Sequence, residues 1–310
     1  MLPKFLKRPV YQLIRQWTGL SVKSRRLTLQ QAEQWAEWIK RYPAIYQGEE
    51  FAVVNQLPGN VTMQVGIIDH IERQLRVEGS WDRPVGQVLK SFLKTGGTFV
   101  DVGANIGYFS LLASRLVGST GKVIAVEPSQ RARRKLLANI RHSATDNILV
   151  LSVGAGSEFA TVRLTLANQN NIGGSTILPE DRGLPSEVIA VVPLQSLLVP
   201  LQIKPDLIKL DIEGFELFGL RGLEQCLISH PAVVCEVTAQ FLRRHQQSVE
   251  ELLMFMFDRG YTVWKLDATR CGGVTPLAIS ADLEQADQFD ALFTKRDEPL
   301  PGGLFQIDAP

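Results

Sequence analysis

The sequence predicts an α/β fold built on a mainly parallel sheet with helices on both of its faces. Two observations carry this prediction. Short apolar, β-rich runs alternate with segments of helical periodicity from residue 98 onward. The first of these runs leads into the glycine-rich segment 101–107, which is followed at once by a helical pattern. In an open parallel sheet, such a loop lies at the carboxyl end of its strand, where ligands bind.

Seven segments have the length and composition of strands. They are 98–102, 122–127, 148–153, 206–211, 232–237, 262–266 and 290–294. Helical periodicity covers 85–94, 108–116 and 130–141. Because no helical pattern is evident between residues 266 and 290, the last two strands could pair directly and form an antiparallel edge. We therefore expect a seven-stranded, mainly parallel sheet with an antiparallel edge strand.

The region before this sheet has a different character. Seven Lys and Arg residues precede the first acidic residue, Glu33, and residues 28–42 have the periodicity of an amphipathic helix. Residues 1–50 are thus predicted to be a basic arm and a helix. Residues 1–27 could be a solvated terminus or could contact an anionic membrane surface peripherally. Two β-rich runs, 51–55 and 61–68, flank a turn sequence and predict a hairpin.

An insertion interrupts the alternation at 154–192. Its segments 161–166 and 188–192 resemble strands, whereas 168–176 between them is polar and glycine-rich. This polar stretch is predicted to be a mobile loop, either a lid over an acceptor pocket or an ordinary exposed turn. The main domain is expected to span 51–296, with a nucleotide-binding core from about 96, and residues 297–310 to form a C-terminal tail.

The composition of the chain limits the classes of partner that it is expected to bind. With 33 Lys and Arg against 32 Asp and Glu, the chain has no overall field that favours nucleic acid. No run approaches the ~20 apolar residues of a membrane span, and no secretory signal is evident, so a cytoplasmic location is expected. The three cysteines lack the spacing of a zinc site. No feature indicates an oligomeric state.

The glycine-rich loop predicts a binding site for a small polar cofactor. Gly103 and Gly107 allow sharp turns and close backbone approach, and the following helix offers unpaired N–H groups. The pattern Asp-x-Gly-x-Asn-x-Gly departs from the Gly-x-Gly-x-x-Gly of dinucleotide enzymes, which weakens hydride transfer as an alternative. Glu127 ends the second strand and could accept hydrogen bonds from ribose hydroxyls. The competing interpretation is that Asp101 and Glu127 only cap neighbouring helices.

These residues resemble the FkbM family of methyltransferases, within the Rossmann-like class I fold that binds S-adenosylmethionine. The resemblance covers roughly residues 50–296. The matching segments are 99–110, 125–128, 171–176, 206–216, 235–237 and 289–293.

The resemblance implies an S-adenosylmethionine-dependent O-methyltransferase that acts on a hydroxyl of a sugar, glycolipid or secondary metabolite. Its partner would be a small-molecule or glycan acceptor, with no nucleic acid. The residues expected to bind the cofactor are Asp101, Gly103, Ala104, Asn105, Gly107, Tyr108, Glu127, Pro128, Gly154 and Asp211. Among them, the glycine-rich loop would border the methionine part, Glu127 the ribose and Gly154 the adenine.

The candidate catalytic residues follow the fourth and fifth strands. Asp211 ends the fourth strand, Lys209 shares its face by alternation, and Glu213 follows in the turn. A carboxylate there could remove the acceptor proton, with Lys209 either holding it ionised or forming a structural ion pair. Glu236 is a further candidate for orienting a hydroxyl. Asp211, Glu213 and Glu236 could in principle hold a divalent cation, and the metal is left unassigned.

Two other classes remain as alternatives. The fold could be a catalytically inactive binding or scaffold module, although the intact glycine and acidic motifs argue against it. A nucleic-acid methyltransferase is disfavoured because the chain lacks the Asn-Pro-Pro-Tyr type of motif that holds a flipped base.

Overall fold

The computed structural model describes residues 52–57, 60–66, 68–168, 171–178, 183–277, 283 and 288–307. The basic arm and amphipathic helix expected over residues 1–50 lie outside the described residues. The chain divides into two compact units, the first comprising residues up to Trp81 together with 169–171, and the second the remainder from Asp82.

The first unit contains the expected hairpin. Strands β1 (Ala52–Leu57) and β2 (Val61–Val65) pair in antiparallel fashion, as predicted. The helix α1 (His70–Glu78) follows, which the sequence analysis did not identify. Asp69 caps it by accepting hydrogen bonds from two N–H groups of the first turn.

The second unit is built on a nine-stranded sheet. The strands are β3 (Thr98–Val102), β4 (Lys122–Val126), β5 (Ile148–Leu151), β10 (Leu207–Leu210), β11 (Ala232–Val237), β12 (Tyr261–Leu266), β13 (Gly273–Pro276), β14 (Phe289–Lys295) and β15 (Phe305–Gln306). Their order in the sheet is β15-β13-β12-β14-β11-β10-β3-β4-β5. All seven predicted strands are therefore present, with ends that differ by at most a few residues.

Helices cover the sheet on both faces. They are α2 (Arg83–Phe92), α3 (Tyr108–Val117), α4 (Gln130–Ser143), α5 (Gln195–Leu198), α6 (Glu216–Arg221), α7 (Glu224–Leu227), α8 (Ala239–Arg244) and α9 (Val249–Phe257). The three helices predicted between 85 and 141 correspond to α2, α3 and α4. The mainly parallel, Rossmann-like α/β class expected from the sequence is thus confirmed. None of the helices among the described residues has the length and apolar character needed to cross a membrane.

The sheet departs from the prediction at its antiparallel strand. β14 does not lie at an edge, because it pairs with β11 on one side and β12 on the other. Its central residues Ala291, Leu292 and Phe293 are fully buried, so the strand needs neighbours on both sides and cover on both faces. Two short strands, β13 and β15, extend the sheet beyond β12, and β15 comes from the segment expected to be the C-terminal tail.

The insertion forms a second, four-stranded sheet of order β6-β9-β7-β8. Its strands are β6 (Gly154–Ala155), β7 (Ala160–Thr165), β8 (Thr176–Ile177) and β9 (Ser186–Val192). β7 and β9 are the two strands expected from the sequence. Their side chains Leu164, Ile189 and Val191 form a small buried apolar cluster. β8 begins at Thr176, the last residue of the polar stretch that was predicted to be a mobile loop, and it pairs with Leu164 and Thr165 of β7.

The order of the strands indicates at which edge of the sheet a ligand would bind. The chain leaves β3 toward β4 and β5 on one side, and β10 and β11 lie on the other side of β3. The order therefore reverses between β3 and β10, and ligands of open α/β sheets bind at such a point, beyond the carboxyl ends of the strands. The loop after β3 and the turn after β10 meet there.

One close backbone contact joins the insertion to the helical layer and can be tested by mutation. A Cβ atom on Gly222 would lie 2.0 Å from the carbonyl oxygen of Gly156. We therefore expect Gly222→Ala to lower the free energy of unfolding by about 1–3 kcal/mol, measured by urea denaturation. Gly302→Ala is the matched control, because a Cβ there meets no atom within 4 Å. Equal stability of the two variants would contradict this account of the contact.

Candidate active site

The loop after β3 turns through residues that adopt left-handed backbone angles. Gly103 has φ +81° and Asn105 has φ +50°. A Cβ on Gly103 would lie 1.9 Å from the carbonyl oxygen of Asp211, so only glycine fits where this loop crosses the end of β10. The N–H groups of Gly103 and Ala104 both donate to the carbonyl of Val126 at the end of β4. The loop is thus fixed between the two neighbouring strands.

The second glycine of the loop begins α3. Gly107 has φ +93°, and a Cβ on it would lie 2.5 Å from Cδ1 of Leu136 on α4. From the sequence, both glycines were expected to allow a sharp turn and the close approach of a ligand. In the structure, the atoms that require glycine at these two positions belong to the protein itself. Tyr108, the first residue of α3, is buried beside Phe109.

Glu127 holds the loop from the end of β4. Its Oε2 accepts a hydrogen bond of 2.8 Å from the N–H of Asn105, and its Oε1 accepts one of 2.8 Å from the N–H of Ser129. Burial raises the pKa of Glu127 to about 7, against the opposing effect of these two N–H donors. Part of its role is therefore the capping of neighbouring backbone. Each carboxylate oxygen retains a second lone pair for a further donor.

Two other predicted cofactor residues make contacts within the protein. The carbonyl of Pro128 accepts a hydrogen bond of 2.7 Å from the guanidinium of Arg133. Gly154 starts β6 in the insertion sheet, where a Cβ would meet Val191 and Ile189. Packing between strands accounts for glycine at this position.

The buried centre of the site is an ammonium group between two carboxylates. Lys209 Nζ lies 3.1 Å from Asp211 Oδ2 and 3.9 Å from Asp101 Oδ1. Burial alone would lower the pKa of Lys209, but the charges of Asp211 and Asp101 outweigh it and raise that pKa above its ordinary value. The side chain of Asp211 is 34% exposed, whereas those of Lys209 and Asp101 are 6% and 1% exposed. Asp211 is therefore the member of this group that meets solvent.

Strand register assembles further carboxyls on the same face. Lys209 is opposite Asp101 on β3, and Glu236 is opposite Asp290 on β14. Since side chains two apart on a strand share a face, Asp211 and Glu236 project on the same side as Lys209. Burial, followed by the charges of Asp211 and Glu213, raises the pKa of Glu236 to about 10. Three of the four predicted catalytic residues, Lys209, Asp211 and Glu236, are thus brought to one face of the sheet.

Two members of this carboxyl group were missed in the sequence analysis. Asp290 faces Glu236, and burial raises its pKa to about 8, with further upward effects of Asp82 and Asp211. Asp82 is the N-cap of α2, and burial raises its pKa as well. Asp82 stands just before Arg-Pro at a helix start, which is a recognisable cap signal. No local signal places it near Lys209.

The turn after β10 carries the remaining predicted residue, Glu213. Its φ is +56°, and burial, with the charges of Asp211 and Glu216, raises its pKa to about 8. Glu216 is buried beneath the turn and accepts hydrogen bonds from the N–H groups of Ile212 and Gly214. Burial raises the pKa of Glu216 to about 7.

Two buried acceptor atoms at this end of the sheet make no hydrogen bond within the protein. Asp101 Oδ1 and Asn105 Oδ1 are buried and have no hydrogen-bond partner, although Asp101 Oδ2 accepts one from Ser110. Buried polar atoms of this kind call for a partner. Within the described residues, no group of three His, Cys, Asp or Glu side chains has an arrangement that could hold a metal ion, and Asp211, Glu213 and Glu236 do not form one.

Comparison with solved structures gives matches of low sequence identity. An rRNA methylase from Streptococcus thermophilus is 12% identical, with 70% of this chain and 99% of that chain covered and a TM-score of 0.41. A precorrin-6y C5,15-methyltransferase from Geobacter metallireducens GS-15 is 15% identical, with 69% and 88% covered and a TM-score of 0.39. A SAM-dependent methyltransferase from Aquifex aeolicus is 16% identical, with 67% and 88% covered and a TM-score of 0.37.

Comparison with curated proteins finds no matching sequence. A family model, described as the methyltransferase FkbM domain, matches residues 101–263. That range is just over half of the 310 residues, and it contains the glycine-rich loop, Glu127, the Lys209–Asp211 pair and Glu236. The resemblance noted from the sequence motifs is confirmed: the chain belongs to the methyltransferase FkbM domain family.

Proposed function

We propose that the protein is an S-adenosylmethionine-dependent O-methyltransferase whose acceptor is a hydroxyl of a sugar, glycolipid or secondary metabolite. The observation that carries this proposal is the position of Asp211. Its partly exposed carboxylate is paired with the buried Lys209. The residue lies at the switch point of the sheet, where its backbone carbonyl oxygen approaches Gly103 of the glycine-rich loop. A base is needed at that position for methyl transfer to oxygen.

The residues of the loop fit the cofactor. Asn105 Oδ1 and Asp101 Oδ1 are buried acceptors without a hydrogen-bond partner, and S-adenosylmethionine carries an amino group and ribose hydroxyls that could donate to them. Glu127 would serve the ribose through the lone pairs that Asn105 and Ser129 leave free. When bound, the cofactor supplies a methyl group that its sulfonium already activates.

The protein's own contribution is alignment and proton removal. Asp211 would accept the acceptor's hydroxyl proton as the new C–O bond forms and the methyl–sulfur bond breaks, leaving S-adenosylhomocysteine. The neighbouring ammonium of Lys209, 3.1 Å from Asp211 Oδ2, would hold this carboxyl in the orientation that proton transfer requires. Asp101 and the ring of Phe109, 5.4 Å from Nζ, hold Lys209 in place.

The surrounding carboxyls favour an uncharged, polyhydroxylated acceptor. Glu213, Glu236 and Asp290 have pKa values raised by burial to about 8, 10 and 8, so near neutral pH they are largely protonated. A protonated carboxyl both donates and accepts hydrogen bonds, as a hydroxyl requires of its partner.

Transfer activity is the direct test of the proposed function. Purified protein is incubated with S-adenosylmethionine labelled on its methyl group and with separate fractions of cell metabolites, lipids and polysaccharides. We expect label in a fraction of uncharged hydroxylated compounds. Tight binding of NAD together with no binding of S-adenosylmethionine would reject the proposal. Failure to bind either, in a folded protein, would favour the scaffold alternative.

The first prediction concerns cofactor affinity. Glu127→Gln keeps the size of the side chain but turns an NH₂ group toward an N–H donor, so both the loop and the ribose contact are weakened. We expect the dissociation constant for S-adenosylmethionine to rise about tenfold or more, measured by calorimetry. Glu187→Gln is the matched control, because Glu187 also accepts a backbone N–H at the start of α4, from Gln130. An equal effect of the two variants would remove Glu127 from the cofactor site.

The second prediction separates catalysis from binding. Asp211→Asn should bind S-adenosylmethionine nearly as well as the unchanged protein, while kcat falls about 10²- to 10⁴-fold because the base is lost. Asp206→Asn is the control at the opposite end of β10, where Asp206 accepts the N–H of Thr98. Undiminished methyl transfer by Asp211→Asn would exclude Asp211 as the base.

The third prediction is an unusual pH dependence of stability. Glu236 is protonated in the folded protein up to a pKa of about 10, whereas the unfolded chain releases that proton near its ordinary value of 4.5. The folded state therefore binds more protons between these values, and its free energy of unfolding falls as pH rises. Glu127, Glu213, Glu216 and Asp290 act in the same direction, since their pKa values are raised too.

Urea denaturation from about pH 5 to about pH 8 measures this slope. Burial lowers the pKa of His245, so this group acts in the opposite direction. Glu236→Gln carries no titrating group and should therefore have a shallower decline than the unchanged protein. Parallel curves for the two proteins would show that Glu236 is ionised in the folded state and would contradict the prediction.

A further inference from the structure

The insertion sheet contacts the turn after β10 through one polar side chain. Thr176, in β8, donates a hydrogen bond of 2.9 Å from Oγ1 to the carbonyl oxygen of Glu213. The two residues are 37 positions apart in the chain, and the bond is partly buried. It connects the edge strand of the insertion sheet to the residue that follows the candidate base by two positions.

The turn at Glu213 depends on such support because its backbone is strained. Glu213 has φ +56°, a left-handed conformation that is unfavourable for a residue with a long side chain, and Gly214 follows with φ +102°. A Cβ on Gly214 would lie 2.8 Å from the carbonyl oxygen of Phe241, so the turn is also held against α8. Glu216 accepts the N–H groups of the turn, and Thr176 binds the carbonyl of Glu213. The backbone of the Glu213 turn is therefore held from both sides, which sets the direction in which the Glu213 side chain leaves the backbone.

The residue that follows this turn by one position is held from another side. Phe215 packs edge-on against the ring of His245, the C-cap residue of α8, with centroids 4.8 Å apart. The Glu213 turn is thus supported by Thr176 from the insertion sheet and, through Phe215, by His245 at the end of α8.

We propose that Thr176 is a positioning residue of the acceptor site: by binding the carbonyl of Glu213, it couples the insertion sheet to the direction of the Glu213 carboxyl, which orients the acceptor hydroxyl beside Asp211. This inference rests on the proposed function. It makes the insertion part of the acceptor site, and it assigns Glu213 the role of orienting the acceptor rather than accepting its proton.

The charges around Glu213 give the proposal a measurable signature. Asp211 and Glu216 raise the pKa of Glu213, and Arg244 and Lys209 lower it, after the larger effect of burial. The charge of Glu213 in turn raises the pKa of Glu236. Turning the carboxyl away from these neighbours changes its pKa, so the pH profile of acceptor binding must move when the hydrogen bond is lost.

The test replaces the hydroxyl of Thr176 in two ways. Thr176→Val keeps the shape and removes the donor, and Thr176→Ser keeps the donor. For Thr176→Val we expect unchanged affinity for S-adenosylmethionine, a rise of about tenfold in the KM for the acceptor, and a shifted pH profile of kcat/KM. Thr176→Ser should restore all three. Thr161→Val, on the exposed face of β7, is the control for the same substitution in the insertion sheet.

A double-variant cycle separates positioning from a general effect on stability. If Thr176 acts through Glu213, then Glu213→Gln combined with Thr176→Val should lose no more than the larger single loss. Thr176→Ala removes the same donor and replaces Thr176→Val should the latter fail to fold. Additive losses, or an unaltered KM and pH profile in folded Thr176→Val, would overturn the inference. Absence of S-adenosylmethionine binding by the unchanged protein would instead reject the proposed function.

Discussion

The ion pairing of the buried Lys209 with Asp101 and Asp211 is the interaction on which the rest of the site depends. The ammonium of Lys209 lies between Asp101 and Asp211 where the strand order reverses, and it joins β3 to β10 at the point where ligands of this fold bind. A buried ion pair contributes little net stability, but removing one partner leaves an unpaired charge and is costly. The pair is therefore better understood as a contact that fixes the position of the partly exposed Asp211 than as a source of stability.

Around this pair, the protein holds carboxyls that oppose its own folding. Glu236 and Asp290 face one another on adjacent strands, and Glu213 lies near Asp211, so each is more easily kept protonated than charged. Residues that lower stability near neutral pH are expected at sites where function requires them. Under the proposed function, these largely protonated carboxyls would bind the acceptor hydroxyl beside Asp211, the proposed base.

The insertion sheet, which lies outside the main sheet, also contacts the turn that carries Glu213. β8 begins at the last residue of a segment whose polar, glycine-rich composition is typical of an exposed loop, yet Thr176 binds the carbonyl of Glu213. Under the proposed function, this contact would link acceptor recognition to a part of the chain that is separate from the cofactor loop. Changes in the insertion could thus alter the acceptor without disturbing the residues that surround Asn105 and Glu127.

The sequence by itself determined the features that depend on local chemistry. Alternation of apolar runs predicted the strands of the main sheet, and the loop at 101–107 with Glu127 predicted the cofactor edge, because backbone angles and strand ends are set by neighbouring residues. Only the tertiary structure decided the internal place of β14, the nearness of Asp82 and Asp290 to Lys209, and the reason for glycine at position 103. Each of these depends on a partner far away in the chain, and no local pattern encodes which distant strand or carbonyl will be that partner.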